Sequence, residues 1–315
     1  ALTPNLFGRA INKVNRILNQ KNSISKKVSD KDFHAIFPAS TNNIFDKITH
    51  RIFWIPDFQE FYFPEFFSKE QLKSRKEVHE KIINSGKSII VSSKSSANDF
   101  CAHYPNAKNK IRVLNFAVTH PVYHNLDITG LKNKFDITKP YFIVPNQFWV
   151  HKNQLIVLKA INFLKNKNLN FQVVFTGKEI DTRSGGYFES LKKYIELNSI
   201  TSSVRMLGFI ERNEQLKLMS ESIAVIQPSL FEGWSTVVED AKEMNQFVIL
   251  SDIAVHHEQL KDNCTFFNPE REEQLALEME KIIVSKRPIL KKKNYKDNVA
   301  NYAKEFTAIL NEEVS

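Results

Sequence analysis

From position 141 onward, short apolar runs alternate with longer amphipathic stretches. The runs cover 141–144, 171–175, 204–207, 223–226 and 247–250, each rich in β-branched or aromatic residues and followed by polar or glycine-bearing turns. Between them, Leu155, Leu158, Ile161 and Leu164 recur at three-residue steps, and 187–197 and 214–219 carry further helical patterns. Apolar strands separated by helices predict a parallel sheet covered on both faces, with ligands at the carboxyl ends of the strands.

The first half is less regular. Residues 52–54, 88–91 and 111–116 read as buried strands. Ser68 and Gln71 form a capping-box pattern opening a helix to about Asn84, which Ser85-Gly86 stops. This predicts a second, shorter α/β unit. Residues 120–140 are turn-rich and read as a linker, 21–32 are polar and read as mobile, and 295–310 form an amphipathic helix after a basic loop. No repeat of solenoid period is present.

Composition narrows the class. A chain of 315 residues with 42% hydrophobic content and 25 Phe has material for two cores, which excludes a disordered protein. No apolar run reaches the roughly 18 residues of a spanning helix. The chain does not open with Met and shows no signal segment, so its beginning is expected to lie upstream. Two distant cysteines, Cys101 and Cys264, read as reduced structural thiols in a cytoplasmic setting. The net charge of +9 suggests an anionic partner: nucleic acid, an anionic membrane surface or a phosphorylated ligand. A Lys- and Asn-rich composition produces the same charge without any partner.

The densest chemistry lies in 226–241. A buried strand ends at Pro228-Ser229, a loop carries Glu232 and Gly233, and a helix starts at about Thr236. A helix start offers unpaired N–H groups and partial positive charge to a phosphate. Gly233 lets backbone approach a ligand, and Asp240 lies about one turn beyond Thr236, toward the same cleft. Lys152, also at a predicted helix start, opposes the helix dipole unless an anion is bound there. Asp57, after Pro56 and a strand, sits where a cleft residue of the first unit belongs, although a turn aspartate has the same pattern; Ser92-Ser93 closes the next strand. Trp149 and Trp234 stack on a ligand or simply pack. His256, His257 and Glu258 lack the spacing of a metal helix, so no metal site is expected.

In order along the chain, Pro145-Asn-Gln-Phe-Trp-Val-His-Lys152-Asn153, the Gly177 strand end, Leu207-Gly208, Pro228 to Ala241, and Ser251-Asp-Ile-Ala-Val-His-His-Glu258 resemble group 1 (family 4) retaining glycosyltransferases. Trp54-Ile-Pro-Asp-Phe-Gln59 and Phe63-Pro-Glu-Phe-Phe67 look like the matching part of that family's first domain. The resemblance implies the α/β GT-B fold, two Rossmann-like domains facing across a cleft. It divides the chain into an acceptor-side domain over 1–120, a linker over 121–139, a nucleotide-sugar domain over 140–294 and a final helix over 295–315 crossing back to the first. It also implies transfer of a sugar from a nucleotide-diphosphate sugar to a saccharide or lipid-linked acceptor, without metal or other cofactor, in cell-surface polysaccharide synthesis. Neither nucleic acid nor a metal is an expected partner. The setting is cytoplasmic, peripheral on the inner face of the membrane.

Carried over, Lys152 neutralises the donor pyrophosphate, Glu232 contacts the sugar or reacting phosphate, and Asp240 holds the ribose; Asp57, read from its place after the strand, positions the acceptor hydroxyl or contacts the sugar. Asn146, Gln147, Gly177, Gly208, Phe209, Ile210, Gly233, Trp234, Ser235 and Thr236 complete the donor site, with N–H groups of 233–235 on sugar or phosphate and 208–210 holding the base. Three departures stand out. Asp240 replaces a glutamate and reaches less far, while Glu239 is expected to point elsewhere. Gln147 replaces an arginine, leaving a phosphate charge for another residue such as Lys178. The glycine-rich loop near the family's amino terminus is not found, so the first strand is absent here or the loop is built differently. Asp30-Lys31-Asp32 matches the Asp-x-Asp of metal-dependent transferases by chance. The alternatives are a GT-B-fold sugar-nucleotide epimerase, which needs no acceptor cleft, and a nucleic-acid-binding protein read from charge alone.

Overall fold

The computed structural model describes residues 33–41, 48–179, 185–285 and 290–315; the stretch 21–32, with Asp30-Lys31-Asp32, lies outside them. The first strands, β1 (Ala35–Ile36) and β2 (His50–Arg51), pair with each other. Strands β3 (Phe53–Ile55), β4 (Ile89–Val91) and β5 (Ile111–Val113) form a three-stranded parallel sheet. Between them come α1 (Gln59–Tyr62), α2 (Lys69–Asn84) and α3 (Lys94–His103). The capping box at α2 is formed as the pattern predicts, with Ser68 and Gln71 exchanging side-chain and backbone bonds. The strand expected over 111–116 ends at Val113; the Leu114 N–H still donates to the Val91 carbonyl at 2.9 Å while its side chain takes the other face of the sheet beside Ile90.

The turn-rich stretch after position 120 contains a helix, α4 (Ile128–Lys134), in place of a bare linker. Asp127 caps it by accepting from the N–H groups of Thr129 and Gly130. Leu131 is buried, with half-buried Ile128 and Phe135 packed on the same core, a pattern too short to stand out among the turn residues around it.

The second unit holds β6 (Tyr141–Val144), β7 (Gln172–Phe175), β8 (Val204–Met206), β9 (Val225–Gln227), β10 (Val248–Ser251) and β11 (Cys264–Phe267). Its helices are α5 (Gln154–Leu164), α6 (Tyr187–Leu197), α7 (Arg212–Glu221), α8 (Thr236–Glu243), α9 (Ala254–Gln259) and α10 (Glu272–Val284). The sheet order is β11-β10-β9-β6-β7-β8, all parallel. The chain starts in the middle, runs to one edge, then returns and runs to the other. That leaves a switch point between β6 and β9, where open α/β sheets bind ligands.

Alternating strand residues feed two cores, as a two-residue period requires. Phe142, Val144, Val173, Phe175, Ile226 and Ile249 pack under α5, α6 and α10. Tyr141, Ile143, Val174, Val225, Val248 and Leu250 pack under α4, α7 and α8. Leu158 is fully buried in the first of these cores. Leu158→Ala should therefore destabilise the protein by about 2–5 kcal/mol, read from a lower urea midpoint with unchanged slope.

The last helix, α11 (Lys296–Val314), leaves the second unit and lies on the first sheet. Its Ile309, Phe306 and Tyr302 pack on Ile52, Ile90 and Leu114. Glu312 pairs with Lys110 and Arg112, and Glu313 accepts from Ser88. Among the described residues no helix is long and apolar enough to cross a membrane.

Candidate functional site

Two loops meet at the switch point. The one after β6 makes a single 3-10 turn over Val150–Lys152, and left-handed Asn153 (φ 54°) hands it to α5. The other follows β9. The Leu230 N–H donates to the His151 carbonyl at 2.8 Å and ties the two together. Lys152 Nζ then stands 2.6 Å from Glu232 Oε1. The Gln227 amide donates to the same oxygen at 2.7 Å, and Asn146 holds Gln227 from behind at 2.8 Å. Lys152 is 16% and Glu232 9% exposed, so the pair is shielded on most sides but still reachable.

The first unit reaches this pair through Pro56-Asp57. A Cβ on Gly233 would stand 2.4 Å from the Pro56 carbonyl oxygen and 2.9 Å from Asp57 Cβ. The space that the missing side chain leaves is therefore filled by the opposing loop and is not free for ligand backbone. Asp57 accepts from the Gln59 N–H at 3.2 Å and lies 3.3 Å from Arg75. Burial pushes its carboxyl above the ordinary value. The Gln59 N–H and Arg75 work against that shift, and the charges of Glu60 and Glu232 add to it. Lys152, Glu232 and Asp57 thus form one cluster, flanked by Tyr62 and Phe63 against Phe231.

The remaining predicted residues divide. Gly177 has φ +147°, and a Cβ there would lie 2.2 Å from the Asn146 carbonyl oxygen, so this glycine lets β7 close on the loop after β6. Its N–H donates to Gly208, itself at φ +65°. Phe209 is 71% exposed with Lys178 Nζ 5.6 Å over its ring, and Ile210 is half-buried. Gln147 is exposed, and its carbonyl accepts from Gln154. Thr236 is exposed at the start of α8. Trp234 packs, its indole N–H on the Phe116 carbonyl at 3.1 Å. Ser235 caps α8 with its hydroxyl, and its N–H donates to Gln259 at 3.1 Å.

Asp240 is buried, and its Oδ1 lies 2.9 Å from His120 Nε2 and 2.5 Å from Arg212. Sequence reasoning missed both partners: they lie in the connecting segment and at the start of α7, with no local signal pointing to Asp240. Glu239 points elsewhere, to Gln259, Lys242 and Tyr295.

A model of the family "Glycosyl transferases group 1" matches residues 130–306. The chain belongs to that family. It is 24% identical over 238 residues to O-antigen chain mannosyltransferase RfbU of Salmonella typhimurium, covering 74% of this chain and 61% of that protein. It is 28% identical over 193 residues to the capsular polysaccharide biosynthesis glycosyltransferase CapH of Staphylococcus aureus, covering 61% of this chain and 51% of the other. The chain thus spans between half and two thirds of the length of these relatives. The structure of Anabaena Alr3699/HepE in complex with UDP superposes with a TM-score of 0.58 at 16% identity, covering 84% of this chain and 68% of that one. The fold is GT-B, with two Rossmann-like domains.

In this group 1 glycosyltransferase a second contact bridges the units. The Glu258 carboxylate accepts from the N–H of Lys94 at 2.9 Å and of Ser95 at 3.3 Å, capping α3 from across the cleft. Among the described residues no cluster of His, Cys, Asp and Glu has the makings of a metal site. Cys101 and Cys264 are both free, and burial pushes the Cys264 thiol up to about 11.

Proposed function

We propose that this chain transfers a sugar, with retention of anomeric configuration, from a nucleotide-diphosphate sugar to a saccharide or lipid-linked acceptor in cell-surface polysaccharide synthesis. The observation that carries this reading is the ammonium of Lys152 facing Glu232 between the ends of the adjacent strands β6 and β9. A pyrophosphate entering there competes with Glu232 for Lys152. Lys152 then offsets the charge that grows on the leaving diphosphate, a task a metal performs elsewhere, so no metal is required. Glu232, released, accepts from the sugar. Asp57, from the opposite unit, orients the acceptor hydroxyl for attack on the face the diphosphate leaves. The start of α8 and Asp240 receive the phosphates and the ribose. The O-antigen and capsule names of the two relatives support the acceptor class. They are named as transferases, which gives no support to the epimerase alternative. The net charge of +9 suits peripheral contact with an anionic membrane surface on the cytoplasmic side.

A thermal-shift screen of UDP, GDP, ADP, CMP and dTDP sugars tests the donor half. A ligand at about 100 times its Kd should add roughly 2.7 kcal/mol of stability. One nucleotide class should raise the melting temperature of wild type and not of Lys152→Ala. Failure of every nucleotide to shift the folded wild-type protein would sink the reading.

A further inference from the structure

β10 ends at Ser251, and α9 brings His256 back over that strand end, fully buried. His256 Nδ1 lies 2.9 Å from the Ser251 carbonyl oxygen and 3.1 Å from Ser251 Oγ. The carbonyl only accepts. The Ser251 hydroxyl spends its hydrogen on the Ser229 carbonyl at 2.6 Å, so it too can only accept from the ring. Nδ1 therefore carries the ring proton, and Nε2 is left as a bare lone pair. That atom is buried and has no hydrogen-bond partner. Burial holds the imidazole below its usual pKa, so the ring is neutral.

The same ring belongs to the neighbourhood of the Lys152–Glu232 pair. Ser229, which receives the Ser251 hydroxyl, also accepts at its own Oγ from Gln227 at 3.1 Å, and Gln227 holds Glu232. Glu232 and Lys152 both act electrostatically on His256, with opposite signs. Among the described residues no donor reaches Nε2. Lys152 is on Glu232, and the Gln227 amide serves Ser229, Glu232 and Ser235. A buried acceptor without a donor is costly, and a phosphate oxygen, itself an acceptor, does not relieve it.

We propose that His256 Nε2 accepts a hydrogen bond from a hydroxyl of the sugar on the donor, which makes His256 a specificity-determining residue. The inference rests on the reading of Lys152 and Glu232 as the donor site. The ring has no exposed surface, so the hydroxyl reaches it only when neighbouring groups move aside.

Calorimetric titration of wild type, His256→Phe and His256→Gln tests this with four ligands: UDP, UDP-glucose, GDP and GDP-mannose. In the series that wild type binds, His256→Phe should lose about tenfold in affinity for the sugar nucleotide and nothing for the bare diphosphate. His256→Gln, which keeps an acceptor oxygen, should recover part of the loss. Equal losses for both ligands would mean a merely structural ring and overturn the proposal, as would no loss at all. Should His256→Phe fail to fold, wild type and His256→Gln are compared on singly deoxygenated sugar nucleotides. Removal of one particular hydroxyl should then cost wild type about tenfold; indifference to every hydroxyl refutes the assignment. Wild type that binds none of the UDP, GDP, ADP, CMP and dTDP sugars refutes the donor site, and this inference with it. Binding of the diphosphates with no effect of the His256 changes refutes this inference alone.

Discussion

Lys152→Ala is expected to slow sugar transfer by on the order of 10²–10³-fold, the usual cost of removing one preorganised group at a developing charge. The side chain sits on a tight turn that the His151–Leu230 bond locks to the neighbouring loop, so no other cation moves into its place cheaply. Lys178 lies exposed with its Nζ 5.6 Å over the Phe209 ring. The change also strips Glu232 of its ammonium and leaves a mostly buried carboxylate on Gln227 alone. Stability should fall by up to about 3 kcal/mol, and Glu232→Gln in the same chain should restore part of it while leaving transfer slow. Rates of nucleoside-diphosphate release with acceptor present, beside urea melts, separate the two effects. A variant that transfers at the wild-type rate rules Lys152 out as the charge-bearing group.

Gly233→Ala should be nearly as damaging, for a different reason. The new methyl meets the Pro56 carbonyl oxygen at 2.4 Å and Asp57 Cβ at 2.9 Å, and neither is the far end of a flexible side chain. Either the loop strains, at about 1–3 kcal/mol, or the two units separate at that point. Separation moves Asp57 away from Glu232 and relaxes the Glu258 cap on α3. We expect a larger radius of gyration by small-angle scattering, a lower melting temperature and a large loss of transfer. Unchanged scattering together with wild-type activity would show that the Pro56-Asp57 loop yields without consequence.

The legible parts of this molecule are those whose signal is local. The six-strand unit announced itself because strands buried on both faces carry continuous apolar runs; β6, β7, β9 and β10 are buried throughout, and their polar residues Gln172, Gln227 and Ser251 stand only at strand ends. The start of α2 was readable because a capping box occupies four consecutive residues. Strand β11 went unread because it is mostly half-buried at the sheet edge and carries no continuous apolar run. Helix α3 went unread because Lys94-Ser-Ser-Ala-Asn-Asp has almost no apolar spacing, and part of its cap comes from Glu258, far along the chain.

The sequence by itself determined the strands and helices that carry a continuous local pattern, the family and the pairing of a lysine after one strand with a glutamate after another, because backbone periodicity and short motifs fix these within a few residues. Only the tertiary structure decided what each group faces. It roofed Asp240 with His120 and Arg212, filled the Gly233 space with Pro56, gave the Ser235 N–H to Gln259, and left His256 Nε2 without a partner. The Gly233–Pro56 contact depends on how the two units meet, and the others on how loops and helices far apart in sequence pack against one another. A side chain's partner therefore leaves no trace in the residues beside it.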